Sequence, residues 1–498
     1  MYKDAPLHIW TGVKKTNPVG RGAVAAPIVI EVPPELKSMV KPLQALLADA
    51  AKLVKAGRGG QAVDYAAVER QVAVLTNNVE RATHQDILGS IEIDAPRIRA
   101  GGKAYVKVGQ EESSFYTMTG PITLNRALYR EVGVRNGKTI DVISLRTGAI
   151  GHGWLPETAQ AMAFLVQQVT SREAAASAKK LGRLPYSRSS FEDVTHAVGE
   201  HWESVHVDIE DQLITALEIP AETRAISVAI DRVSVPMEEP APRPVGRPRK
   251  DAPKNPITRP YRMAFVGALT LHDGRGKAVH SIRYGCMPAG DPTMLCTGMA
   301  NDLYRLLQAR PDLKLVRLAD GAHEMWNLLG DETFAPEVLG TFVDLVDFWH
   351  LIEKLSPAAK VLHGEGPHRT TLRRWRIALR RRSSGAAEIL AELRASNREH
   401  VKVNDKQPVH EAITYIENHG HRMNYAAARR KHLPIGSGSA EATCKTLFQV
   451  RFKRAGSRWK HETGEHIVKL RALALSDRWD GAMTMFHETR RCSVRKAA

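Results

Sequence analysis

Cysteine is nearly missing from this chain, with four in 498 residues at positions 286, 296, 444 and 492. That is too few, too scattered, for a disulfide framework or a zinc knuckle, and all four are expected to be reduced and structural. Long apolar runs are missing too. None approaches the roughly 20 residues that cross a bilayer, and the first residues, Met-Tyr-Lys-Asp-Ala-Pro, lack the apolar core of a signal peptide. A cytoplasmic protein without membrane contact is expected. Acids are also outnumbered, 54 against 71 lysines and arginines, leaving a formal charge of +17. Such an imbalance makes an anionic polymer the expected partner, nucleic acid foremost.

What is present is an ordinary globular composition, 43% hydrophobic and 25% charged. The length suggests about three domains by a prior of roughly 150 residues each. From Pro33 to Ile91 apolar residues recur at three and four, predicting two helices broken at Gly57-Arg-Gly-Gly60. They form an oligomerisation hairpin or a packed leader domain. Between Ile98 and Leu145 strand-like segments alternate with Gly-rich turns, at Tyr105 to Val108, Ser114 to Thr117, Ile122 to Tyr129 and Thr139 to Ile143.

Residues Pro156 to Trp202 read as three helices. Thr170 with Glu173, and Ser189 with Glu192, have capping-box spacing, and Gly182-Arg-Leu-Pro185 is a turn between them. The last helix is expected to face Phe191, Val194, Ala197 and Val198 inward and to present Arg188, Ser190, Asp193 and His196. That is the texture of a helix-turn-helix, with Arg188 and Ser190 as candidate DNA contacts. Pro240 to Pro260 is rich in Pro, Arg and Lys and cannot build a core. Within it Gly246-Arg247-Pro248-Arg249-Lys250 resembles the core of an AT-hook, although Val245 stands where that motif has an arginine. A plain basic linker is the alternative.

The chain's most informative stretch is Ala225 to Pro236, a run of β-formers with one carboxylate, Asp231, at its middle. Alternation sets Ile226, Val228 and Ile230 on one face and Ala229, Asp231, Val233 and Val235 on the other. An unpaired carboxylate on an apolar face is costly, so a metal, a base partner or a solvent-filled cleft must compensate. An ion pair with Arg232 or Arg262 is the plain alternative. Two more strands follow, Tyr261 to His272 and Ala278 to Met287, then a helix from Pro292 to Arg310 and a strand ending in Asp320-Gly321. In a mixed sheet that strand is the natural neighbour of the Asp231 strand, and sites lie outside strand carboxyl ends. A third acid, Glu441, enters a helix after the Gly-rich turn Leu433-Pro-Ile-Gly436-Ser-Gly438. Taken singly, it is an acid favoured by a helix N-terminus.

The residues from about Ala225 to Asp480 resemble the catalytic region of bacterial insertion-sequence transposases of the Kra type, RNase H-like Asp-Asp-Glu recombinases. The resemblance rests on separated motifs in order: Ile230-Asp231; Leu318-Ala-Asp320-Gly321-Ala322 with Trp326; Leu345-Val-Asp347-Phe-Trp-His350; Tyr415, Asn418, Arg422-Met423 and Tyr425; the Leu433 to Gly438 turn with Glu441; Gly456-Ser-Arg-Trp459-Lys460; and Arg478-Trp479-Asp480. It implies that Asp231, Asp320 and Glu441 bind two Mg²⁺ ions, with Mn²⁺ as a substitute, for DNA strand cleavage and strand transfer at an element's terminal inverted repeats. Asp347, His350 and Trp326 would be accessory. Spacing alone puts Asp347 and His350 on one helix face.

The implied fold is an α/β RNase H-like mixed sheet, 219–350 and 433–475, interrupted by a helical insertion at 351–432. Before it come a helical region (1–97), a small β region without metal (98–155) and the helix-turn-helix domain (156–218); a tail (476–498) follows. Relatives often carry a cysteine-bearing ribbon where this chain has Arg130-Glu-Val-Gly-Val-Arg135. Arg373, Arg376 and Arg380 share a helix face, and Arg451, Lys453, Arg454, Arg458, Trp459 and Lys460 interleave cations with aromatics. Each group is read as a DNA-backbone contact, with a solvated face as the alternative. His461 and His466 fall about 140° apart on a helix, which excludes a zinc-protease pair. The expected partners are double-stranded DNA, as element ends and target, and further copies of the chain, at least a dimer. Two other readings stay open: a DNA-binding protein that no longer cuts, and a structure-selective nuclease that cuts without joining.

Overall fold

A computed structural model describes residues 7–10, 29–58, 60–241, 246 and 256–497. The chain divides into two compact units, Met1–Val205 with Met483–Ala498, and His206–Ala482, where length suggests about three domains. Both helices and sheets are present in quantity, so the class is mixed α/β. Among the described residues no helix is long and apolar enough to cross a membrane.

The first unit carries a helical pair, Val40–Gly57 and Tyr65–Ile91, and a five-stranded antiparallel sheet. The segments read as two strands at Tyr105 and Ser114 are one strand, Lys103–Thr117, with an irregularity between Lys107 and Gly109. Its polar middle hid the continuity. Of Thr139 to Ile143, expected as a strand, Ile140–Asp141 is one and pairs with Leu128 and Tyr129, while Val142 already opens helix Val142–Thr147, which Asp141 caps by accepting from Ser144 N at 2.7 Å. The three helices after Pro156 are present as Pro156–Gln168, Ser171–Lys180 and Arg188–Thr215. Thr170 and Glu173 make the expected capping box. Ser189 and Glu192 do not: the helix starts at Arg188, Ser187 Oγ takes the early cap by accepting from Ser190 N at 3.1 Å, and Glu192 accepts from Ser171 and Arg188 instead. Residues 476–498, expected as a tail, contain helix Trp479–Arg490 and strand Val494–Lys496, which pairs with Arg97–Ala100.

The second unit is built on strands β1 (Thr223–Pro236), β2 (Tyr261–Asp273), β3 (Ala278–Cys286), β4 (Lys314–Ala319) and β5 (Phe342–Val346). Their order is β3-β2-β1-β4-β5, with β1 to β3 antiparallel and β4 and β5 parallel to β1. The Asp273-Gly turn signal joins β2 to β3, with Gly276 at φ +77°, where a side chain would be strained. Alternation along β1 gives each face its own core. Ile226, Val228 and Ile230 pack with Leu295, Met299, Leu303 and Leu306 of helix α1 (Pro292–Ala309). On the other face Ala225 and Ala229 of β1, with Val316 and Leu318 of β4, pack under helices α2 (Phe348–His363) and α3 (His368–Arg381).

Candidate active site

Sheet register brings the first two acids together. Leu318 of β4 is level with Ala229 of β1, and two residues further along each parallel strand stand Asp320 and Asp231. Both therefore leave the sheet on the face covered by α2. The residues expected to pair with Asp231 are engaged elsewhere: Arg232 binds Glu324, and Arg262 binds Glu239 at 2.9 Å. Among the described residues no Lys or Arg forms an ion pair with Asp231 or Asp320. Asp231 is held instead by neutral donors, Arg232 N at 2.7 Å and the Cys444 thiol at 3.3 Å. Burial pushes the Asp231 carboxyl above its ordinary range, and the Asp320 charge adds to this; those two hydrogen bonds and nearby His350 oppose it.

Asp320 accepts from Ala322 N at 2.9 Å, and its own carbonyl accepts from Trp326 Nε1 at 2.8 Å. Arg422 lies over Trp326 with its guanidinium 4.0 Å from the ring. Trp326 thus braces the backbone under Asp320. Gly321 is needed for close approach, because a Cβ there would stand 2.5 Å from Tyr415 and 2.9 Å from His419 Nε2.

The motif Asp347 to His350 brings its two side chains together as the spacing implies, and Asp347 has a further part. Asp347 is the N-cap of α2, accepting from Trp349 N at 2.6 Å and His350 N at 2.9 Å. β5 ends at Val346, so Asp347 has extended geometry and turns its carboxylate back over the helix start. The same buried carboxylate accepts from Ser437 N and, at 2.7 Å, from Ser437 Oγ. It ties the Gly436 to Gly438 turn to β5. His350 Nδ1 is 3.6 Å from Asp347 and buried without a hydrogen-bond partner.

Glu441 lies in helix α4 (Gly438–Thr443), exposed and 3.7 Å from Lys445 Nζ. Its nearest link to the acidic pair is Cys444, three residues on, whose thiol touches Asp231. Residues three apart share a helix face, so Glu441 stands one turn from Cys444, the residue that touches Asp231, with its own carboxylate exposed. Among the described residues, no three His, Cys, Asp or Glu side chains stand together as a ready metal site. The donor chemistry still fits a hard divalent cation: two carboxylates converge without a cation of their own, and a third sits on a flexible side chain within a helical turn.

The candidate DNA contacts are scattered. Arg188 is held by Glu192 at 2.9 Å and Ser171 at 3.2 Å, and Ser190 by Ser187. Arg247, Arg249 and Lys250 lie outside the described residues. Arg373 is exposed on α3, while Arg376 and Arg380 are partly covered. Arg451 is only 5% exposed, its guanidinium 4.7 Å from the Trp459 ring, so both brace the fold, Trp459 also packing on Phe452 at 4.3 Å. Lys453, Arg458 and Lys460 are exposed and Arg454 is partly so. A cavity of about 770 Å³, lined by residues including Asp302, Arg305 and Arg478, contains none of the three acids.

The sequence reading missed Cys444, Ser437 and His419. Cys444 had a signal, three residues after Glu441 on one helix face; the others are joined to the site by contacts that only the fold creates.

No family model and no curated protein matches the chain. Among solved structures, it is similar to the Drosophila P element transposase strand transfer complex at 14% identity, covering 69% of this chain and 83% of that chain, with a TM-score of 0.26. A likeness that distant does not bear on what this chain does.

Proposed function

We propose that the chain is a DNA transposase with an RNase H-like centre, in which Asp231, Asp320 and Glu441 hold two divalent cations for strand cleavage and strand transfer at element ends. The observation that carries this reading is the convergent Asp231 and Asp320 pair without a Lys or Arg partner. A fold leaves two like charges side by side at a cost, which an incoming cation offsets. The strand order and the +17 charge are consistent with it. Bound Mg²⁺ would supply an activated water or 3′-hydroxyl and stabilise the leaving oxygen.

The chain's own groups have separate tasks in this scheme. Asp347 holds the Gly436 to Gly438 turn, and hence the start of the Glu441 helix, against the sheet. Cys444 orients one Asp231 oxygen and the Arg232 amide the other. Glu441 leaves Lys445 and turns inward. His350, whose charge acts on Asp231 and whose Nδ1 stands 3.6 Å from Asp347 without a hydrogen bond, is placed to hold a proton near the scissile phosphate.

The test is incubation of the full chain with end-containing DNA and Mg²⁺. Metal-dependent nicks followed by joined products, absent in Asp231→Ala, are expected. Binding without nicks would leave a DNA-binding protein, and nicks without joined products a nuclease. Cleavage unchanged in Asp231→Ala would refute the assignment.

A further inference from the structure

The arginines around α3 are not equivalent. Arg374 is held by Glu392 at 2.8 Å and Arg382 by Glu388 at 2.8 Å, so both serve the fold. Arg376 and Arg380 make no ion pair among the described residues. Arg376 instead sets its guanidinium 5.5 Å from the ring of Trp349, and Arg380 lies 4.6 Å from the ring of Phe348 and 5.5 Å from that of Trp349. Arg429 lies near enough that, after burial, its charge and that of Arg376 push the Arg380 guanidinium below its ordinary range. Arg376 Nε is buried without a hydrogen-bond partner. Cations gathered without a carboxylate repel one another, and an anion among them would relieve this.

Trp349 itself is 50% exposed, unusual for so large an apolar ring. Its indole lies against Gly436, where an added Cβ would meet it at 3.2 Å. It sits between Asp347 and His350, and His350 is near enough for its charge to act on Asp231, so the indole and its arginines belong to the helix start that approaches the acidic pair.

We infer that Trp349, Arg376, Arg380 and Arg429 form a slot for one unpaired nucleotide beside the scissile phosphate, the base stacking on the indole and the phosphate lying among the guanidiniums. The inference rests on the DNA-processing reading above. An aromatic ring accepts any base through its π-face, and arginine adds cation–π attraction. A paired base has both faces covered by its neighbours in the duplex and cannot use the ring. The slot therefore selects DNA that is frayed, gapped or single-stranded next to the cut.

Fluorescence anisotropy with the full chain, in the absence of divalent metal, tests this. The probes are a fluorescein-labelled blunt duplex and the same duplex with a short single-stranded extension. Wild type is expected to prefer the extended DNA by about fivefold to a hundredfold, the range of one base–aromatic stack. Trp349→Ala should erase the preference and leave duplex affinity little changed, and Trp349→Phe should retain part of it. Arg376→Gln should weaken binding of the extended DNA and reduce its salt slope by about one. The slot is overturned if wild type shows no preference, or if Trp349→Ala keeps it. Should Trp349→Ala unfold, Trp349→Phe and the double variant Arg376→Gln with Arg380→Gln decide: an undiminished preference in both overturns the slot. Because metal is absent, the two readings fail separately. Preference without nicking in the cleavage assay removes the transposase chemistry alone, and nicking without preference removes the slot alone.

Discussion

Replacing Asp347 with alanine should be among the most destabilising single changes in the second unit. The carboxylate is 3% exposed and accepts from Trp349 N, His350 N, Ser437 N and Ser437 Oγ. The first two bonds form a helix N-cap, worth about 1 kcal/mol. The other two join a buried charge to a turn, at about 1.5–3 kcal/mol each before allowing for non-additivity. Their loss also strands a buried hydroxyl and amide. A total near 4 kcal/mol follows, at the edge of what single substitutions cost. Asp347→Asn keeps the shape and one acceptor oxygen but presents an NH₂ group where a second acceptor is needed, so it should lose about half as much. Urea unfolding followed by tryptophan fluorescence, compared at constant slope, measures both. A loss below about 1 kcal/mol for alanine, or equal losses for alanine and asparagine, would refute the assigned role.

Gly321→Ala should cost about 1–3 kcal/mol through overpacking, since its Cβ would enter Tyr415 at 2.5 Å; it should also displace Asp320 and weaken any response to divalent metal, both read by thermal melts with and without Mn²⁺. Burial pushes the His272 imidazole down to about 4, below the roughly 6.5 of an unfolded chain. Its contribution is therefore present above pH 6.5 and lost as pH falls toward 4, about 3 kcal/mol in all. Comparing urea midpoints of wild type and His272→Gln across that range should show a steeper acid loss in wild type, and parallel profiles would contradict it. Burial lifts the Asp302 carboxyl to about 6, above its unfolded value, so its contribution is present at low pH and lost as pH rises through 6. Asp302→Asn should accordingly steepen the acid-side loss, and an unchanged profile would count against it.

The central sheet was legible because its signals are local. Period-two alternation assigned the faces of β1, and Asp273-Gly marked the hairpin between β2 and β3. The parallel neighbour of β1 followed from the helix between β3 and β4. Where local signals compete, the reading slipped. Asp347 and His350 meet as their spacing implies, but that spacing did not mark Asp347 as the cap it becomes because β5 runs up to Val346. Ser189 and Glu192 have capping-box spacing, but Glu192 answers to Ser171 and Arg188. Long-range contacts left no trace in the sequence. Strand Val494–Lys496 finds its partner nearly 400 residues upstream at Arg97–Ala100, and the contact of Cys444 with Asp231 spans 213 positions. Of the arginines, sequence could name the basic helix face but not which members are consumed by Glu388 and Glu392.

The central claim is that Asp231 and Asp320 form an uncompensated pair awaiting a divalent cation. Differential scanning calorimetry of wild type, Asp231→Asn and Asp320→Asn during Mn²⁺ titration tests it most directly. Wild type should gain stability with Mn²⁺, about 2.7 kcal/mol at a hundred times the dissociation constant. Asp320→Asn should melt higher than wild type without metal, because one of two repelling charges is gone while its single accepted bond can stay, and both variants should lose the Mn²⁺ response. A wild type indifferent to Mn²⁺, or variants that respond as it does, would contradict the account.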